Sequence, residues 1–592
     1  MKTTGSKVQL PLLLAALLFL FVPSFPTSAQ QATAAKSSKA TAHQAAVATP
    51  AELDNDWWKT AVFYEIYPRS FQDSNGDGIG DLNGITERLD YLKALGIDAI
   101  WISPMYPSPQ VDFGYDISDY ENVDPQYGTL KDFDRLSAEA KKRGIRIIMD
   151  AVMNHTSDKH PWFIESRSSR TNPKRDWYVW VDGKGPDGMQ PPNNWISEFG
   201  HSAWQYDPTT KQFYYHKFYI QQPDLNWRNP AVEKAMFDTL RFWMDRGVSG
   251  FRLDAIPTLF EDPELRDAAP IGGTNAYGDP KLDPSRTDNL PEVHDVLKRM
   301  RKVINEYPGR MLIGETYLPN TTELAKMYGP NHDELQLPMD MNLGITNKLD
   351  ASIFREKIND AETKLNGNTP LFVFDNHDNP RMAARYGDGV HDEAIEKTLA
   401  TVLFTTKAAA LMYYGDEIGM PTTPPTRVED VKDPIGRTGW PQEKGRDGER
   451  TPMQWDASEN AGFSTAAKTW LPVAPDYKTV NVKAEEAEPN SMFNWYKKLI
   501  ALRRTNPALH SGDFTMLNPD DPNVLSYERA SANSKVVVAC NFTAQPQKVS
   551  FTGNSLGGTA QVLAASGGPQ PATVNLKEIS LPPFGSIVAE VK

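Results

Sequence analysis

Four short apolar runs that each lead to acidic residues constrain this 592-residue chain more than any other feature. The runs lead to Asp150, Asp254, Glu315 and the segment Asp375–Asp378, and helix-like segments separate them. Parallel barrel strands collect the polar groups at their carboxyl ends around one mouth. The pattern therefore predicts an α/β fold, a (β/α)8 TIM barrel, with a functional site at that end.

Arg252 precedes Asp254 by two residues in the run that begins at Gly250. Alternation along a strand places both side chains on one face. We expect the guanidinium to orient the carboxylate and to lower its pKa. A purely structural Arg–Asp pair would explain this run alone, but the recurrence of acid-terminated strands favours a catalytic role.

The chain is too long for one small core and predicts several domains. Alternating strand and helix patterns predict a barrel built from residues 57–156 and 223–511. Between them, residues 157–222 are rich in Trp, Tyr, Pro and Gly and predict an inserted subdomain over the mouth. Short strands from residue 512 to residue 592 predict a separate antiparallel β domain, a β-sandwich.

Residues 1–29 predict a secretory signal peptide. Two lysines precede an apolar run from residue 8 to residue 22, and small residues follow at 27–29. This run is shorter than the ~20 residues of a membrane span, so we expect export, periplasmic or extracellular, and no stable span. Residues 30–56 are rich in Ala, Thr and Ser and predict a flexible linker.

The formal net charge of −14 argues against a nucleic-acid partner, because no basic stripe offsets it. Cys540 is the single cysteine, so no internal disulfide can form. An exported protein without disulfides must rely on its core and on any bound metal for durability.

Oxygen donors recur at every second position in the loop after the first predicted strand. They are the side chains of Asp73, Asn75, Asp77 and Asp81 and the carbonyl of Ile79. Oxygen ligands in a glycine-containing wrap suit a hard cation, whereas a solvated acidic turn is the alternative. We predict a structural calcium loop, with magnesium as the alternative cation.

Four motifs resemble those of the α-amylase superfamily, glycoside hydrolase family 13, and the resemblance spans nearly all of residues 57–592. They are Asp150–His155, Gly250–Asp254, Gly314-Glu315 and Phe374–Asp378. Gln222–Asn226 resembles a further motif of the oligo-1,6-glucosidase and α-glucosidase subgroup. Each motif alone is weak, but the combination is highly specific.

The resemblance implies a retaining glycosidase. It implies that Asp254 is the nucleophile of a covalent β-glucosyl intermediate and that Glu315 is the general acid and base. Asp378 would stabilise the oxocarbenium-like transition state. His155 and His377 would donate hydrogen bonds to the same glucose.

The resemblance also implies a pocket that accepts one terminal glucose. In the subgroup, an Asp after the second strand pairs with an Arg just beyond the Asn-His-Asp motif, and Asp112 and Arg381 occupy those places. Arg252 belongs to the substrate-binding set, and Tyr115 would offer an aromatic face to the sugar. Ala255 occupies the position at which oligo-1,6-glucosidases carry Val, and this favours cleavage of α-1,4 bonds. A difference of about one methyl group in a pocket changes the discrimination between substrates by only ~1–3 kcal/mol.

The expected function is an exported α-glucosidase that acts on maltose and short oligosaccharides. A transglycosylating or isomerising relative, such as a trehalose synthase or sucrose isomerase, uses the same covalent intermediate and stays open. A non-catalytic relative, like the heavy subunits of amino-acid transporters, is disfavoured because all three carboxylates are present. The sequence does not determine the oligomeric state.

Overall fold

The computed structural model describes residues 54–344, 346–554 and 556–592. The predicted signal peptide, and all of the predicted linker before residue 54, lie outside the described residues. Over the described ranges, no helix is long and apolar enough to cross a membrane.

Strands and helices alternate through most of the chain. The strands up to residue 413 are β1 (Val62–Ile66), β2 (Ala99–Ile102), β3 (Arg146–Val152), β4 (Trp180–Val181), β5 (Trp204–Asp207), β6 (Gln212–Tyr215), β7 (Gly250–Asp254), β8 (Pro270–Thr274), β9 (Pro280–Leu282), β10 (Met311–Gly314), β11 (Leu337–Asp340), β12 (Leu371–Val373) and β13 (Ala409–Tyr413). The helices are α1 (Pro68–Phe71), α2 (Leu82–Glu87), α3 (Leu89–Leu95), α4 (Leu130–Lys142), α5 (Pro161–Ser168), α6 (Pro230–Asp245), α7 (Glu292–Ile304), α8 (Thr321–Lys326), α9 (Met341–Gly344), α10 (Ala351–Lys364), α11 (Met382–Tyr386), α12 (Asp392–Thr405), α13 (Pro434–Gly439), α14 (Val482–Ala487), α15 (Met492–Thr505) and α16 (Pro507–Ser511).

Eight parallel strands close into a barrel in the order β1, β2, β3, β7, β10, β11, β12 and β13, and β13 pairs with β1 again. The predicted TIM barrel is therefore confirmed. These strands read as apolar runs because both faces of a parallel barrel are covered. All five residues of β1, for example, are buried.

Inward-facing side chains fill the barrel. Phe63, Trp101, Ile148, Ile313 and Leu411 belong to one buried cluster contributed by different strands. The barrel is thus a packed core and not a pore, as in other barrels of this kind. The polar side chains that could form a functional site are therefore found at the ends of the strands and in the loops that follow them.

Capping residues set where the barrel helices begin. Thr129 and Asp132 form a capping box at the start of α4, in which each side chain binds the backbone N–H of the other. Asn229 caps α6, and Pro230 occupies its first position. These local signals set the residues at which the two helices begin.

A small antiparallel sheet in the order β4, β6 and β5 lies within residues 157–222, after β3. Aromatic residues that include Trp195, Trp204 and Phe213 form its core. The backbone of Leu225 donates to the carbonyl of Asn154 at 2.9 Å, which returns the chain to the barrel mouth. A second excursion, the hairpin β8–β9, follows β7.

The C-terminal part is an antiparallel β domain, as predicted. Its strands are β14 (Asp513–Leu517), β15 (Val524–Ser531), β16 (Ser534–Asn541), β17 (Gln547–Val549), β18 (Thr559–Ala565), β19 (Thr573–Asn575), β20 (Ile579–Leu581) and β21 (Ser586–Val591). The main sheet has the order β14, β15, β16, β21, β18 and β19, and β17 pairs with β20. Thr398 on α12 donates to the carbonyl of Phe584 at 2.6 Å, which joins this domain to the barrel.

Candidate active site

One buried arginine gathers the acidic groups at the barrel mouth. Arg252 on β7 lies in register with Asp150 on β3 and with Ile313 on β10. Its Nη1 donates to Asp254 Oδ1 at 2.7 Å and to both carboxylate oxygens of Asp150 at 3.0 and 3.1 Å. Its Nη2 lies 2.6 Å from Glu315 Oε1. Three of the strand-end carboxylates predicted from the sequence therefore meet on one guanidinium.

These groups open into a cavity of about 800 Å³. The residues of its wall include Asp112, Tyr115, His155, Phe199, Phe218, Asp254, Ala255, Glu315, Tyr317, Asp378 and Arg446. All three predicted catalytic carboxylates line the cavity, and Asp254 and Glu315 are each only 7% exposed. The cavity therefore presents a carboxylate trio to any molecule that fills it.

The residue after Asp254 positions Glu315. Ala255 has a φ of 43°, in the left-handed region that costs a non-glycine residue ~1 kcal/mol or more. Its N–H donates to Glu315 Oε2 at 2.8 Å. The sharp turn at the end of β7 thus ties the two carboxyl groups together through the backbone as well as through Arg252.

The pKa of Asp254 departs from the prediction. Burial raises the pKa of Asp254 to about 7, and repulsion from Asp150 adds to this rise, whereas Arg252 opposes it. Arg252 does lower this pKa, as predicted, but burial outweighs that effect, so the net shift is upward. Burial also raises the pKa of Glu315 to about 7, and the charge of Asp254 adds to that rise. Because both carboxyls contact the same guanidinium and the charge of Asp254 acts on Glu315, the protonation of one affects that of the other.

We expect kcat/KM to fall as the pH rises through about 7. Protonation of a leaving oxygen requires a proton on Glu315, which is present below its raised pKa and lost above it. Profiles on maltose and on an aryl α-glucoside would measure this. The aryl substrate should show the shallower alkaline limb, because a good leaving group needs less protonation. A flat maltose profile above neutral pH would contradict the role of Glu315.

Asp378 has the opposite electrostatics. Burial alone would raise its pKa, but His377, Arg446 and Arg450 outweigh burial and lower it well below the usual range. Its Oδ1 accepts from Arg450 Nη2 at 2.7 Å and from Arg446 Nη1 at 2.9 Å. Asp378 therefore remains ionised and can stabilise positive charge or accept from hydroxyl groups in the cavity.

Asp112 pairs with Arg446. The Nη2 of Arg446 donates to Asp112 Oδ1 at 2.7 Å, and the same guanidinium contacts Asp378 and Asp433. Arg446 lies in the long loop after β13, which returns across the mouth. The arginine closes one side of the cavity by joining the loops that follow β2 and β12.

Arg381, the predicted partner of Asp112, lies elsewhere. It precedes α11 and is fully buried, with its Nη1 donating to the carbonyl of Tyr414 at 2.8 Å and to Asp416 at 3.2 Å. Its guanidinium also packs over the ring of Tyr413. The predicted pairing was wrong because the backbone before α11 turns this side chain towards the end of β13 and away from the cavity.

The remaining predicted binding residues divide between the wall of the cavity and the layer beneath it. Asp112, Tyr115 and His155 reach the wall, whereas Arg252 and His377 support it from below. Burial lowers the pKa of His155 to about 4, so this histidine is neutral near pH 7. The rings of Tyr115 and His377 are stacked with centroids 5.4 Å apart.

Several residues were not assigned a role in the site from the sequence alone, although the motif that begins at Gln222 was noted. Arg446 and Arg450 bind Asp378. Gln222 donates to Asp112 at 3.2 Å. The aromatic rings of Phe199 and Phe218 form part of the cavity wall. The available signal was the charged run from residue 446 to residue 450 inside a Pro- and Gly-rich loop. Nothing in that run shows which strand-end carboxylate it contacts.

The predicted calcium loop is ordered by its own side chains. Asp73 accepts from the backbone N–H groups of Asn75 and Gly78, and Asp81 accepts from Gly84 at the start of α2. Within the part of the chain that the structure describes, no group of three or more His, Cys, Asp or Glu side chains is arranged to hold a metal. A cation here would also need the Asn75 amide and the Ile79 carbonyl. All of these donors are oxygen atoms, which are the ligands that a hard cation prefers.

Comparison with known proteins identifies similar sequences over most of the chain. Residues 65–512 match the family described as "Alpha amylase, catalytic domain", and residues 514–588 match "Maltogenic Amylase, C-terminal domain". A "Probable alpha-glucosidase" of Rhizobium meliloti is 44% identical over 83% of this chain and 90% of its own length. An "Oligo-1,6-glucosidase" of Parageobacillus thermoglucosidasius is 40% identical over 91% of this chain and 100% of its own length.

Solved structures of a trehalulose synthase and of an isomaltulose synthase are similar as well. The trehalulose synthase of Pseudomonas mesoacidophila MX-45 is 38% identical, with a TM-score of 0.82 over 90% of this chain and 99% of that chain. An isomaltulose synthase mutant of Erwinia rhapontici NX5, solved with sucrose, has 37% identity and a TM-score of 0.82 over the same shares.

Proposed function

This chain belongs to the α-amylase family of glycoside hydrolases, and on that premise we propose that it is a retaining, exo-acting α-glucosidase. Its substrates are maltose and short oligosaccharides with a terminal non-reducing α-linked glucose. The observation that carries the proposal is the pair Asp254 and Glu315 on one guanidinium, in a cavity closed by Asp112 and Arg446.

The reaction proceeds by two displacements at the anomeric carbon. An Asp254 carboxylate oxygen bonds to that carbon as the glycosidic bond breaks, and Glu315 gives its proton to the leaving oxygen. A water molecule then attacks the same carbon, loses a proton to Glu315 and releases Asp254. The net result is one bond cleaved by one water, with glucose released in its α form.

The spacing of the two carboxyls supports retention over inversion. Both reach the guanidinium of Arg252, and the backbone N–H directly after Asp254 also reaches Glu315. Retaining enzymes hold their two carboxyls about 5–5.5 Å apart, whereas inverting enzymes need about 6.5–9.5 Å to admit a water. Attachment to one planar group favours the shorter spacing.

The Asp112–Arg446 pair supports cleavage at chain ends. It stands beside Asp378 at the cavity wall, where a sugar chain continuing past the non-reducing end would have to pass. Both side chains are nearly buried, so opening this wall would expose charged groups that now neutralise each other. We therefore expect one glucose ring to occupy the space between this wall and Asp254.

The linkage preference is a finer part of the proposal. Ala255 lines the cavity next to the nucleophile. Its small side chain favours cleavage of α-1,4 bonds. Because a methyl-scale difference in a pocket discriminates by only ~1–3 kcal/mol, we expect α-1,6 bonds to be cleaved more slowly and not excluded.

A product profile tests the proposed function. The enzyme would be incubated separately with maltose, isomaltose, sucrose and trehalose, and the products separated by chromatography. We expect glucose from maltose faster than from isomaltose, with the α anomer appearing first by NMR. Conversion of sucrose to trehalulose or isomaltulose would instead favour the isomerising alternative, which the similar solved structures support.

We also propose a structural calcium ion in the loop from Asp73 to Asp81, with magnesium as the weaker alternative. Calcium at about 100 times its Kd would stabilise the fold by about 2.7 kcal/mol, so chelation should lower Tm and calcium should restore it. Asp77→Ala should remove this calcium dependence, whereas Asp187→Ala, in an exposed turn outside the loop, should not. Equal Tm values in chelator and in calcium would contradict the proposal.

A further inference from the structure

A buried carboxyl that the proposed reaction does not use lies behind the active site. Glu65 on β1 is fully buried, and its Oε1 lies 2.6 Å from His377 Nδ1. Its other oxygen, Oε2, has no hydrogen-bond partner among the described residues. An ionised carboxylate with an unpartnered buried oxygen is far more costly than a neutral acid in the same place.

Three hydrogen bonds connect Glu65 to the catalytic cluster. Glu65 Oε1 contacts His377 Nδ1, His377 Nε2 lies 2.6 Å from the Tyr115 hydroxyl, and that hydroxyl lies 3.1 Å from Asp150 Oδ2. His377 Nε2 also lies 3.3 Å from Asp378 Oδ2. Asp150 is the last group in this series of hydrogen bonds, and it accepts from Tyr115 because its carboxylate is also bound by Arg252.

With a neutral His377 ring, only one direction of donation satisfies every contact. With an imidazolium, Glu65 would be a carboxylate whose Oε2 lies buried without a partner. If Glu65 donates to Nδ1, the Nε2 proton of His377 faces Tyr115 and Asp378, and the Tyr115 proton faces Asp150. If Glu65 were ionised, Nδ1 would carry the ring proton and Tyr115 would donate to Nε2. Asp150 would then lose its tyrosine donor, and Asp378 would face the bare lone pair of Nε2.

We propose that Glu65 is an un-ionised acid that donates to His377 Nδ1 and so keeps the His377 Nε2 proton directed towards Tyr115 and Asp378. Glu65 is therefore a positioning residue that acts through His377. Its catalytic consequence rests on the proposed glucosidase function, whereas its protonation does not.

The charges around Glu65 agree with this direction. Burial raises the pKa of Glu65 well above its usual value, and the neighbouring carboxylates of Asp378 and Asp150 oppose its ionisation while Arg252 favours it. Tyr413, its neighbour across the strand pair, is a neutral phenol whose hydroxyl has no partner among the described residues. Burial lowers the pKa of His377 well below its usual value, so the ring is neutral and its tautomer is the variable that Glu65 sets.

Glu65→Gln and Glu65→Met test the proposal together. Glutamine keeps a donor for Nδ1 without changing the charge of a neutral acid, so its pH profile of kcat/KM should superimpose on that of the unmodified enzyme. Methionine keeps the volume but removes the donor, and kcat should fall about tenfold or more with little change in KM. A displaced pH profile in Glu65→Gln, or an unchanged kcat in a folded Glu65→Met protein, would overturn the proposal.

Infrared difference spectroscopy gives a readout that needs no turnover. Near neutral pH, the spectrum of the unmodified protein minus that of Glu65→Gln should contain the C=O stretch of a protonated carboxylic acid. A carboxylate band in its place would overturn the proposal even if the enzyme releases glucose. Conversely, the acid band in a protein that releases no glucose would uphold the protonation of Glu65 and refute the proposed function. These two readouts also decide the matter if Glu65→Met does not fold.

Discussion

Asp254→Asn should reduce kcat on maltose by about four orders of magnitude or more while the protein remains folded. Removal of a nucleophile from a catalytic group that acts as a unit typically has an effect of this size or larger. The amide occupies the volume of the carboxylate and can still accept from Arg252 Nη1, so the packing at the end of β7 is retained. Asp150 and Glu315 still neutralise Arg252. We therefore expect a large loss of turnover and a small change in Tm.

Covalent trapping makes this prediction specific. A fluorinated glucosyl substrate that slows the second displacement should leave an adduct on the peptide that contains Asp254, identified by mass spectrometry. Asp283→Asn is the matched control, because Asp283 also lines the cavity but is partly exposed, and its side chain accepts from the backbone N–H of Ser285 in a local turn. That variant should keep near-normal kcat and the adduct. An adduct on another residue, or an active Asp254→Asn enzyme, would show that the nucleophile has been misassigned.

Arg446→Met should have the second large effect, lowering kcat/KM on maltose by about 30-fold to several thousand-fold. Truncating one partner of a buried charge pair typically costs about 2–5 kcal/mol, much of it from the charges left unpaired. Arg446 binds three carboxylates, Asp112, Asp378 and Asp433. We expect KM for maltose to rise, because the cavity wall opens, and Tm to fall, because Asp112 and Asp433 lose their counterion.

Two comparison variants separate the wall from the fold. Asp112→Asn removes one of the three negative charges that face Arg446, so KM for maltose should rise with a smaller loss of Tm than in Arg446→Met. In the double variant the two effects on KM should be clearly less than additive, since the residues contact each other. Arg381→Met should lower Tm without raising KM for maltose, because Arg381 lies behind the wall and binds Asp416. The reverse pattern would restore Arg381 as the partner of Asp112.

Much of the architecture was predictable because its signals are local. An apolar run that ends in an acid specifies a strand and the side chain at its end, and the closed barrel then brings such ends together. That Asp150, Asp254 and Glu315 lie close together could therefore be predicted without knowing the structures of the loops. In the folded protein all three contact Arg252. The antiparallel C-terminal domain was equally visible, from short strands separated by turn residues.

The errors concern interactions between distant segments. Arg381 stood at the expected place in the chain, but the local backbone before α11 directs it towards Tyr414 and Asp416. The pKa of Asp254 was misjudged for a related reason. A single Arg two residues away suggested a lowered value, whereas burial and the carboxylate of Asp150 on another strand prevail.

Residue order alone was sufficient for the barrel, the strand-end carboxylates and the family, because each follows from spacing within a few residues. Folding was needed to choose the charge partners. Arg446 and Asp112 are 334 residues apart in the chain, and Glu65 and His377 are 312 apart. Coulombic and hydrogen-bond energies depend on distance in space and on exclusion of water, and neither quantity is written in the spacing of residues along a chain.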